Sequence, residues 1–275
     1  MAKKPTQQIA LAQNFLKSAR LARLLLDASS ITPFDTVYEI GPGHGTITAE
    51  LARIARKVIA IEKDSMLVQR LCDRFQGADK IQIIKGDFLR FRIPDREYKI
   101  FANIPYCITA DIVRKILWVP PIPSEAYLIM QKEAAQKFSG KPKENLFSLL
   151  AKPSFDIQIV RELRRTDFKP APHVDSVLLH IRKRSSPLIR TEHMSLYRRF
   201  VRFGFESWKK NLKLTFKPIF TYDQWKRLSR DFRFPLDATA TALTFEQWLG
   251  LFHCFQLRVS AERRSYLTSR TAKCL

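Results

Sequence analysis

The stretch TVYEIGPGHGTITAELARIA, residues 36–55, decides the fold class of this chain. Its first part, Thr36–Ile40, is a short run of apolar and β-branched side chains, which is typical of a buried strand. The glycine-rich turn 41–45 follows, and Thr46–Ala55 repeats apolar residues at helical spacing. A strand, a glycine turn and a helix in direct succession indicate the first unit of an α/β sheet.

The same alternation continues through the first two-thirds of the chain. Further strands are predicted at Val58–Glu62, Ile81–Lys85, Lys99–Asn103, Ala126–Met130 and Val177–Ile181. Helices are predicted between them at Met66–Phe75, Thr109–Trp118 and Glu133–Phe138. Because strands alternate with helices, the pattern predicts a doubly wound α/β fold with buried parallel strands.

The pattern changes after the linker signal Ser185–Pro187. Helix-period segments without convincing strands follow at His193–Lys213, Tyr222–Ser229 and Phe245–Phe255. Thr244 and Gln247 have the spacing of a capping box at the start of the last segment. We therefore predict an α/β domain over residues 1–184 and a small all-helical domain over residues 185–275.

The charge of the chain is strongly basic. The 275 residues include 48 Lys and Arg against 26 Asp and Glu, a net charge of +22. Self-repulsion of this size destabilises a compact chain, so it indicates a polyanionic partner. Residues 181–275 alone hold 20 Lys and Arg against 7 Asp and Glu. The basic charge is concentrated in the predicted helical domain, and nucleic acid is the expected partner.

Several other classes are disfavoured by the composition. No apolar run is long enough to span a membrane, and the first residues lack the apolar core of a secretion signal. The cysteines Cys72, Cys107, Cys254 and Cys274 are far apart and form no CxxC pair, so neither a disulfide framework nor a metal site is expected. A cytoplasmic location is expected, and nothing in the sequence calls for more than a monomer.

The spacing of Gly41, Gly43 and Gly45 indicates a ligand at the end of the first strand. Glycines let the backbone pass close to a ligand, which in an open α/β sheet binds at the carboxyl ends of strands. A dinucleotide fingerprint needs a third small residue where Thr46 stands, which disfavours an NAD-type dehydrogenase. With Glu39 two residues before the first glycine, the spacing suits S-adenosylmethionine, which has no pyrophosphate. The alternative is a plain strand-to-helix turn.

Acidic residues follow the next two strands. Glu62 can accept hydrogen bonds from both ribose hydroxyls of a cofactor, and Asp87, with Phe88 beside it, can accept one from an adenine amine. Each residue has a plain alternative interpretation. Glu62 could be a solvated charge next to Lys63, and Asp87 could start a turn. Three successive strands that end in suitable groups favour a cofactor site.

The tetrapeptide Asn103-Ile104-Pro105-Tyr106 is the most specific signal in the chain. The exocyclic amine of adenine is a poor nucleophile because its lone pair is delocalised into the ring. Hydrogen-bond acceptors for its two N–H groups draw the amine toward a tetrahedral form. The Asn103 side chain and the Ile104 carbonyl can serve as these acceptors. Pro105 stiffens the turn, and Tyr106 offers a flat face for a base. The alternative is an Asn-x-Pro turn followed by a core tyrosine.

At this point the residues carry a family resemblance. Asn103–Tyr106 together with Glu39–Gly45 resembles the rRNA adenine N6-methyltransferases. Gln13–Leu16 is similar to the family's N-terminal cofactor motif, and Phe168–Ser176 to its F-x-P-x-P-x-V-x-S segment. The resemblance implies a Rossmann-like class I methyltransferase sheet with a small C-terminal all-helical domain, and S-adenosylmethionine as the cofactor.

The resemblance also implies roles for individual residues. The target adenine is held by Asn103, Ile104 and Tyr106, and Phe168 stacks on its other face. The cofactor contacts are Gln13, Asn14, Leu16, Gly41, Gly43, Glu62, Lys63, Asp87, Phe88 and Asn103.

Two branches of the family compete. The Erm branch methylates an adenine of 23S rRNA and gives resistance to macrolides, lincosamides and streptogramin B. The housekeeping KsgA branch dimethylates adjacent adenines of the small-subunit rRNA. Ile104, where housekeeping members usually have leucine, favours Erm, whereas Cys107, where Erm members often have asparagine, departs from that pattern. A non-catalytic nucleic-acid-binding relative is a further alternative, against which the intact motifs argue.

Basic and aromatic residues alternate over residues 197–217 of the predicted helical domain. Most of these aromatics have helical spacing and are expected in the core. We expect the basic face of this segment to bind RNA. Its residues are Arg198, Arg199, Arg202, Lys209 and Lys210.

Overall fold

The computed structural model describes residues 14–269, which divide into two compact units. The first unit holds residues up to 135 and residues 156–183, and the second holds residues 136–155 and those from 184 onward. The chain therefore leaves the first unit, returns to it, and leaves it again. The predicted boundary at residue 184 coincides with the last of these crossings, but residues 136–155 also belong to the second unit.

The strands of the described chain form one large sheet and one small one. They are β1 (Phe15–Leu16), β2 (Thr36–Ile40), β3 (Lys57–Glu62), β4 (Ile81–Lys85), β5 (Lys99–Asn103), β6 (Glu125–Gln131), β7 (Phe155–Leu163), β8 (Phe168–Lys169) and β9 (Ser176–Lys183). The large sheet has seven strands in the order β4-β3-β2-β5-β6-β9-β7, and β1 pairs with β8. Every predicted strand is present, whereas the sequence pattern does not predict β1, β7 or β8.

The helices lie between and after these strands. They are α1 (Ala19–Leu26), α2 (Thr46–Ile54), α3 (Ser65–Arg74), α4 (Thr109–Trp118), α5 (Lys132–Ser139), α6 (Leu146–Ala151), α7 (Thr191–Phe205), α8 (Leu212–Thr215), α9 (Tyr222–Asp231), α10 (Phe245–Arg258) and α11 (Ala261–Ser269). Within residues 14–269, every helix is too short or too polar to cross a lipid bilayer.

The order of the large sheet places a ligand crevice between β2 and β5. Strands β2 to β4 step outward in one direction, and the chain then crosses back to β5 on the other side of β2. These strands and β6 pair in parallel, so their carboxyl ends share one edge. Ligands of such sheets bind where the strand order reverses, outside the carboxyl ends. The turn after β2 and the tetrapeptide after β5 therefore flank the same crevice.

One predicted strand differs in direction. The run 177–181 belongs to β9, which pairs antiparallel with β6, Met130 opposite Val177. Apolar composition shows that a strand is buried but not which way it runs. The sheet is therefore mixed, with a parallel part that carries the crevice.

The second unit is built around aromatic side chains. Phe200 of α7 lies at the centre, with ring centroids 4.8 Å from Phe216, 6.1 Å from Trp248 and 5.1 Å from Phe255. Such pairs add to the stability that burial of their area provides. Most aromatic side chains of the basic segment 197–217 therefore pack in the core, as predicted.

The long helix predicted over residues 193–213 is interrupted. Helix α7 ends at Phe205, and Asn211 starts α8 by accepting a hydrogen bond from the Leu214 amide at 3.0 Å. Asparagine offers the backbone a capping alternative to continued helix, which breaks the run despite its apolar period. The predicted capping box is confirmed, because Thr244 and Gln247 exchange hydrogen bonds at the start of α10.

Candidate active site

The glycine turn after β2 brings bare backbone to the carboxyl edge of the sheet. Gly43 has φ 57°, and a Cβ there would lie 2.4 Å from Cε1 of Phe15. Gly41 has φ 62° with open space where its Cβ would be. Side chains disfavour this left-handed conformation, so both positions require glycine. The turn thereby leaves room for a ligand against its backbone.

Glu62, at the end of β3, is tied to that turn. Its carboxylate is buried and accepts hydrogen bonds from the backbone amides of Gly43, Lys63 and Asp64, at 3.3, 2.8 and 3.0 Å. A carboxylate offers about four lone-pair sites, so one acceptor position on Oε2 is left for a ligand. Glu62 is thus fixed in place and still able to accept a hydroxyl.

Glu39, in β2 just before the turn, is buried. The Thr48 hydroxyl donates to its Oε2 at 2.6 Å. Burial, and secondarily the charge of Glu62, raises the pKa of Glu39 to about 8. The carboxyl group is therefore mostly protonated at neutral pH. Although it precedes the first glycine by two residues, its carboxyl group is buried and bonded to Thr48 of α2.

Asp87, after β4, forms an ion pair with Lys63. The Lys63 Nζ lies 3.1 Å from Asp87 Oδ2, and the Leu89 amide donates to Oδ1 at 3.0 Å. Burial raises the pKa of Asp87, but these hydrogen bonds outweigh it and hold the pKa below its usual value. Asp87 therefore stays ionised as an acceptor at the cofactor edge.

The Phe88 ring faces another part of the first unit. It is 5% exposed and lines a cavity beside α4, where the Lys115 Nζ lies 4.7 Å from its ring centroid. Its side chain therefore does not join the cavity that contains Asn103, described below. The prediction that Phe88 packs on the cofactor together with Asp87 is not supported by this placement.

Asn103, the last residue of β5, has a fixed side-chain amide. Its Nδ2 donates to the Asn14 backbone carbonyl at 2.6 Å. Because the nitrogen is used in this bond, Oδ1 is the atom available as an acceptor. Asn14 thus orients the predicted catalytic amide through its backbone.

The residues after Asn103 continue the site. The Ile104 amide donates to the Ile129 carbonyl at 3.1 Å, and no hydrogen bond within residues 14–269 reaches the Ile104 carbonyl oxygen. Tyr106 begins a short 3₁₀ turn, and its hydroxyl lies 2.7 Å from the hydroxyl of the buried Ser176. Burial raises the pKa of Tyr106, so the phenol stays neutral. Ser176 fixes the ring from β9.

A single cavity collects the central residues. It is lined by Asn14, Phe15, Gly41, Asn103, Ile104, Pro105 and Tyr106. The structure therefore brings the N-terminal motif, the glycine turn and the tetrapeptide together. Glu62, Lys63 and Asp87 lie at the same edge, since the Glu62 carboxylate accepts from the Gly43 amide and Lys63 pairs with Asp87. Phe15 and Ser176 are functional candidates that our residue-level prediction missed, although both lie inside the motifs it used.

Two predicted side chains lie in the core and not at the cavity. Leu16 is 6% exposed and Phe168 is 0% exposed, and both belong to one buried apolar cluster. In the register of the small sheet Leu16 lies opposite Phe168. The structure corrects the prediction that Phe168 stacks on the target base, because its ring has no exposed face. Leu16 is likewise absent from the residues that line the cavity. Gln13 lies outside the described residues.

The predicted RNA contacts lie in the second unit. Arg198 and Arg202 are exposed on α7, Arg199 is half-buried there, and Lys209 and Lys210 are exposed between α7 and α8. Arg202 pairs with Glu206 at 3.3 Å. Within the described part of the chain, no group of three or more His, Cys, Asp or Glu side chains is placed to hold a metal ion.

The fold and the site define a Rossmann-like methyltransferase that uses S-adenosylmethionine. The residues at the sheet edge fit this cofactor, since the glycine turn admits close backbone approach and Glu62 keeps one acceptor position. The ribosomal RNA adenine dimethylase family model matches residues 5–257, and the chain belongs to this family of enzymes.

Curated relatives carry names from two branches. The rRNA adenine N-6-methyltransferase of Bacillus licheniformis is 31% identical over 243 residues, covering 88% of this chain and 84% of that protein. The ribosomal RNA small subunit methyltransferase A of Listeria monocytogenes is 33% identical over 219 residues, covering 74% of this chain and 73% of that protein. The names of both relatives describe rRNA methylation, but they belong to different branches of the family.

Solved structures share the fold. The crystal structure of the 23S rRNA methyltransferase ErmE matches 88% of this chain and 100% of its own, with a TM-score of 0.83 and 28% identity. A dimethyladenosine transferase from Plasmodium falciparum matches 88% of this chain with a TM-score of 0.68 and 23% identity, a likeness of fold.

Proposed function

We propose that this enzyme methylates the N6 amine of a specific adenine in 23S rRNA in the cytoplasm, and thereby confers resistance to macrolides, lincosamides and streptogramin B. The observation that carries the proposal is the fixed Asn103 amide. Its Nδ2 is held by the Asn14 carbonyl at 2.6 Å, which leaves Oδ1 as the acceptor of the side chain. The Ile104 carbonyl and Tyr106 lie beside it in one cavity.

The chemistry needs acceptors more than a charged base. Oδ1 of Asn103 and the carbonyl oxygen of Ile104 can accept hydrogen bonds from the two N–H groups of the adenine amine. These hydrogen bonds localise the lone pair on the nitrogen. Preorganised dipoles of this kind stabilise charge that develops in the transition state without reorganisation. Positioning of the amine against the methyl group supplies the remainder of the acceleration.

The cofactor is held at the carboxyl edge of the sheet. Bound S-adenosylmethionine supplies an activated methyl group on a sulfonium. Glu62 is proposed to accept hydrogen bonds from the ribose hydroxyls of the cofactor. Asp87, which is paired with Lys63, is proposed to accept a hydrogen bond from the adenine amine of the cofactor. The backbone of Asn14, Gly41 and Gly43 is proposed to contact the remainder of the cofactor.

The target base is proposed to leave its RNA helix or loop and to stack on Tyr106. Extrusion of a base costs a few kcal/mol, which stacking and hydrogen bonds in the pocket offset. The Ser176 hydroxyl, 2.7 Å from that of Tyr106, keeps the ring from turning away. A second round on the same amine would give dimethyladenine.

The Erm branch is favoured by two observations. Ile104 stands where housekeeping members usually have leucine, and the structure of ErmE, named for 23S rRNA, matches 88% of this chain with a TM-score of 0.83. The second candidate is dimethylation of small-subunit rRNA, which the name of the 33% identical Listeria relative supports.

Antibiotic susceptibility of a macrolide-sensitive bacterium tests this proposal. Expression of the protein is expected to raise resistance to erythromycin and clindamycin, and Asn103→Ala expressed at the same level is expected to give none. Primer extension on both rRNAs then locates the modified adenine. Sensitivity with a stop on small-subunit rRNA would move the enzyme to the housekeeping branch.

A further inference from the structure

Trp208 is an unusual residue of the second unit because its indole is 86% exposed. By contrast, Trp225 is 2% exposed and Trp248 is 0% exposed in the core of the same unit. Tryptophan carries a large apolar area and is highly buried on average. An indole held in solvent therefore requires an explanation that core packing does not provide.

A cation already occupies one face of this indole. The Lys209 Nζ lies 3.6 Å from the ring centroid of Trp208, within the range of a cation–π contact. The segment 206–211 that carries both residues is irregular and joins α7 to α8. With Lys209 on one side, the opposite face of the ring is available to a planar partner.

The charge around Trp208 selects that partner. Residues 198–217 contain seven Lys and Arg and one acid, Glu206, which pairs with Arg202. Lys210, Lys213 and Lys217 form no ion pair with any described residue. A lone aromatic among lysines differs from the contiguous apolar patch of a protein interface. The combination is that of a single-stranded RNA contact.

We propose that Trp208 stacks on an unpaired base of the RNA substrate, while Lys209 and Lys210 contact the adjoining phosphates. The proposal rests on the proposed function, since it assumes that RNA is the substrate. Bases of any sequence have a π face, so the contact favours unpaired over paired RNA and not one base over another.

Binding of the full-length protein to two RNA probes tests the proposal. The probes are a single-stranded oligoadenylate and a fully paired RNA hairpin, each titrated at several salt concentrations. Trp208→Ala is expected to weaken oligoadenylate binding by about ten-fold to one-hundred-fold. The hairpin affinity is expected to change little, and Trp208→Phe to retain most of the binding.

The salt dependence separates stacking from charge. Removal of an uncharged ring releases no counterions, so Trp208→Ala is expected to keep the slope of log affinity against log salt. Lys210→Gln is expected to lower that slope by about one. Tyr222→Ala is the matched control, because Tyr222 is 60% exposed in the same unit but lies beside an acid, Asp223.

The outcomes separate this inference from the proposed function. Oligoadenylate affinity of Trp208→Ala within about two-fold of the wild type would overturn the stacking role alone, with the enzyme's RNA binding intact. An equal loss of affinity for both probes would overturn the preference for unpaired bases. A wild-type protein that binds neither probe would contradict the inference and the proposed function together. Because the side chain is exposed, both Trp208 variants are expected to fold.

Discussion

At the scale of single residues, Tyr106 has two separable properties, a ring face and a hydroxyl bonded to Ser176. Tyr106→Ala removes the face on which the target base is proposed to stack, so single-turnover methylation is expected to fall by at least about ten-fold. Tyr106→Phe keeps the face and is expected to retain most turnover. Full methylation by Tyr106→Ala would rule out the stacking role.

Glu39 gives a pH dependence with a definite sign. Its pKa is raised by burial to about 8, so the folded protein binds this proton more tightly than the unfolded chain does. The stability that it contributes is complete below about pH 4.5 and is lost as pH rises toward about pH 8. Glu39→Gln stays neutral, so its advantage in unfolding free energy over the wild type is expected to grow by about 1 kcal/mol per pH unit across that window.

Denaturant unfolding at several pH values measures this difference. Glu50→Gln is the control, because Glu50 is paired with Arg23 at 3.0 Å and its pKa is lowered. That variant is expected to show no advantage that grows with pH. A constant gap between Glu39→Gln and the wild type would mean that Glu39 is ionised throughout.

At the scale of elements, the turn between β2 and α2 links the cofactor edge to the small sheet. Gly43→Ala places a Cβ 2.4 Å from the Phe15 ring, whereas at Gly77, with φ 76°, a Cβ meets nothing within 4 Å. Both substitutions strain a left-handed backbone by about 1–2 kcal/mol. Only Gly43→Ala is expected to weaken S-adenosylmethionine binding as well, by about ten-fold or more in isothermal titration. Equal S-adenosylmethionine affinities for the two variants would show that the Phe15 ring moves aside without an effect on the cofactor site.

The elements that the sequence predicts best are those with a strong local period. Strands β2, β4 and β5 have the predicted bounds, and α4 does as well. The small sheet has no such signal, because β1 and β8 have two residues each and pair across some 150 positions of the chain. Which of Phe15 and Leu16 faces the cavity depends on that pairing, and so does the burial of Phe168. Long-range packing of this kind cannot be deduced from a local pattern.

The same limit applies to the ends of elements in the second unit. An apolar helical period continues through residues 206–213, but a capping side chain, Asn211, competes with it and starts a new helix. Residues 136–155 join the second unit through α6, where the Tyr197 hydroxyl of α7 donates to the Leu149 carbonyl at 3.0 Å. That contact joins residues distant in sequence and has no signature in either segment.

At the scale of the whole molecule, the net charge of +22 predicts RNA binding that weakens steeply with salt. Arg198→Glu with Arg199→Glu is expected to reduce the slope of log affinity against log salt by about two, because each replaces an arginine that is predicted to contact a phosphate. Arg56→Glu with Lys57→Glu is the control. It changes the net charge equally but lies at the amino end of β3, away from the cofactor edge. The same slope for both pairs would mean that the field of the whole protein, and not a local contact, sets the affinity.

The most direct test of the central claim is to identify the methylated atom. Purified wild-type protein and Asn103→Ala would be incubated with S-adenosylmethionine carrying a labelled methyl group and with protein-free 23S or small-subunit rRNA. Nuclease digests would then be analysed by mass spectrometry. We expect labelled N6-methyladenosine or N6-dimethyladenosine from 23S rRNA with the wild type, and almost none with Asn103→Ala. Label on another atom, or equal labelling by the variant, would contradict the assignment of the Asn103 site.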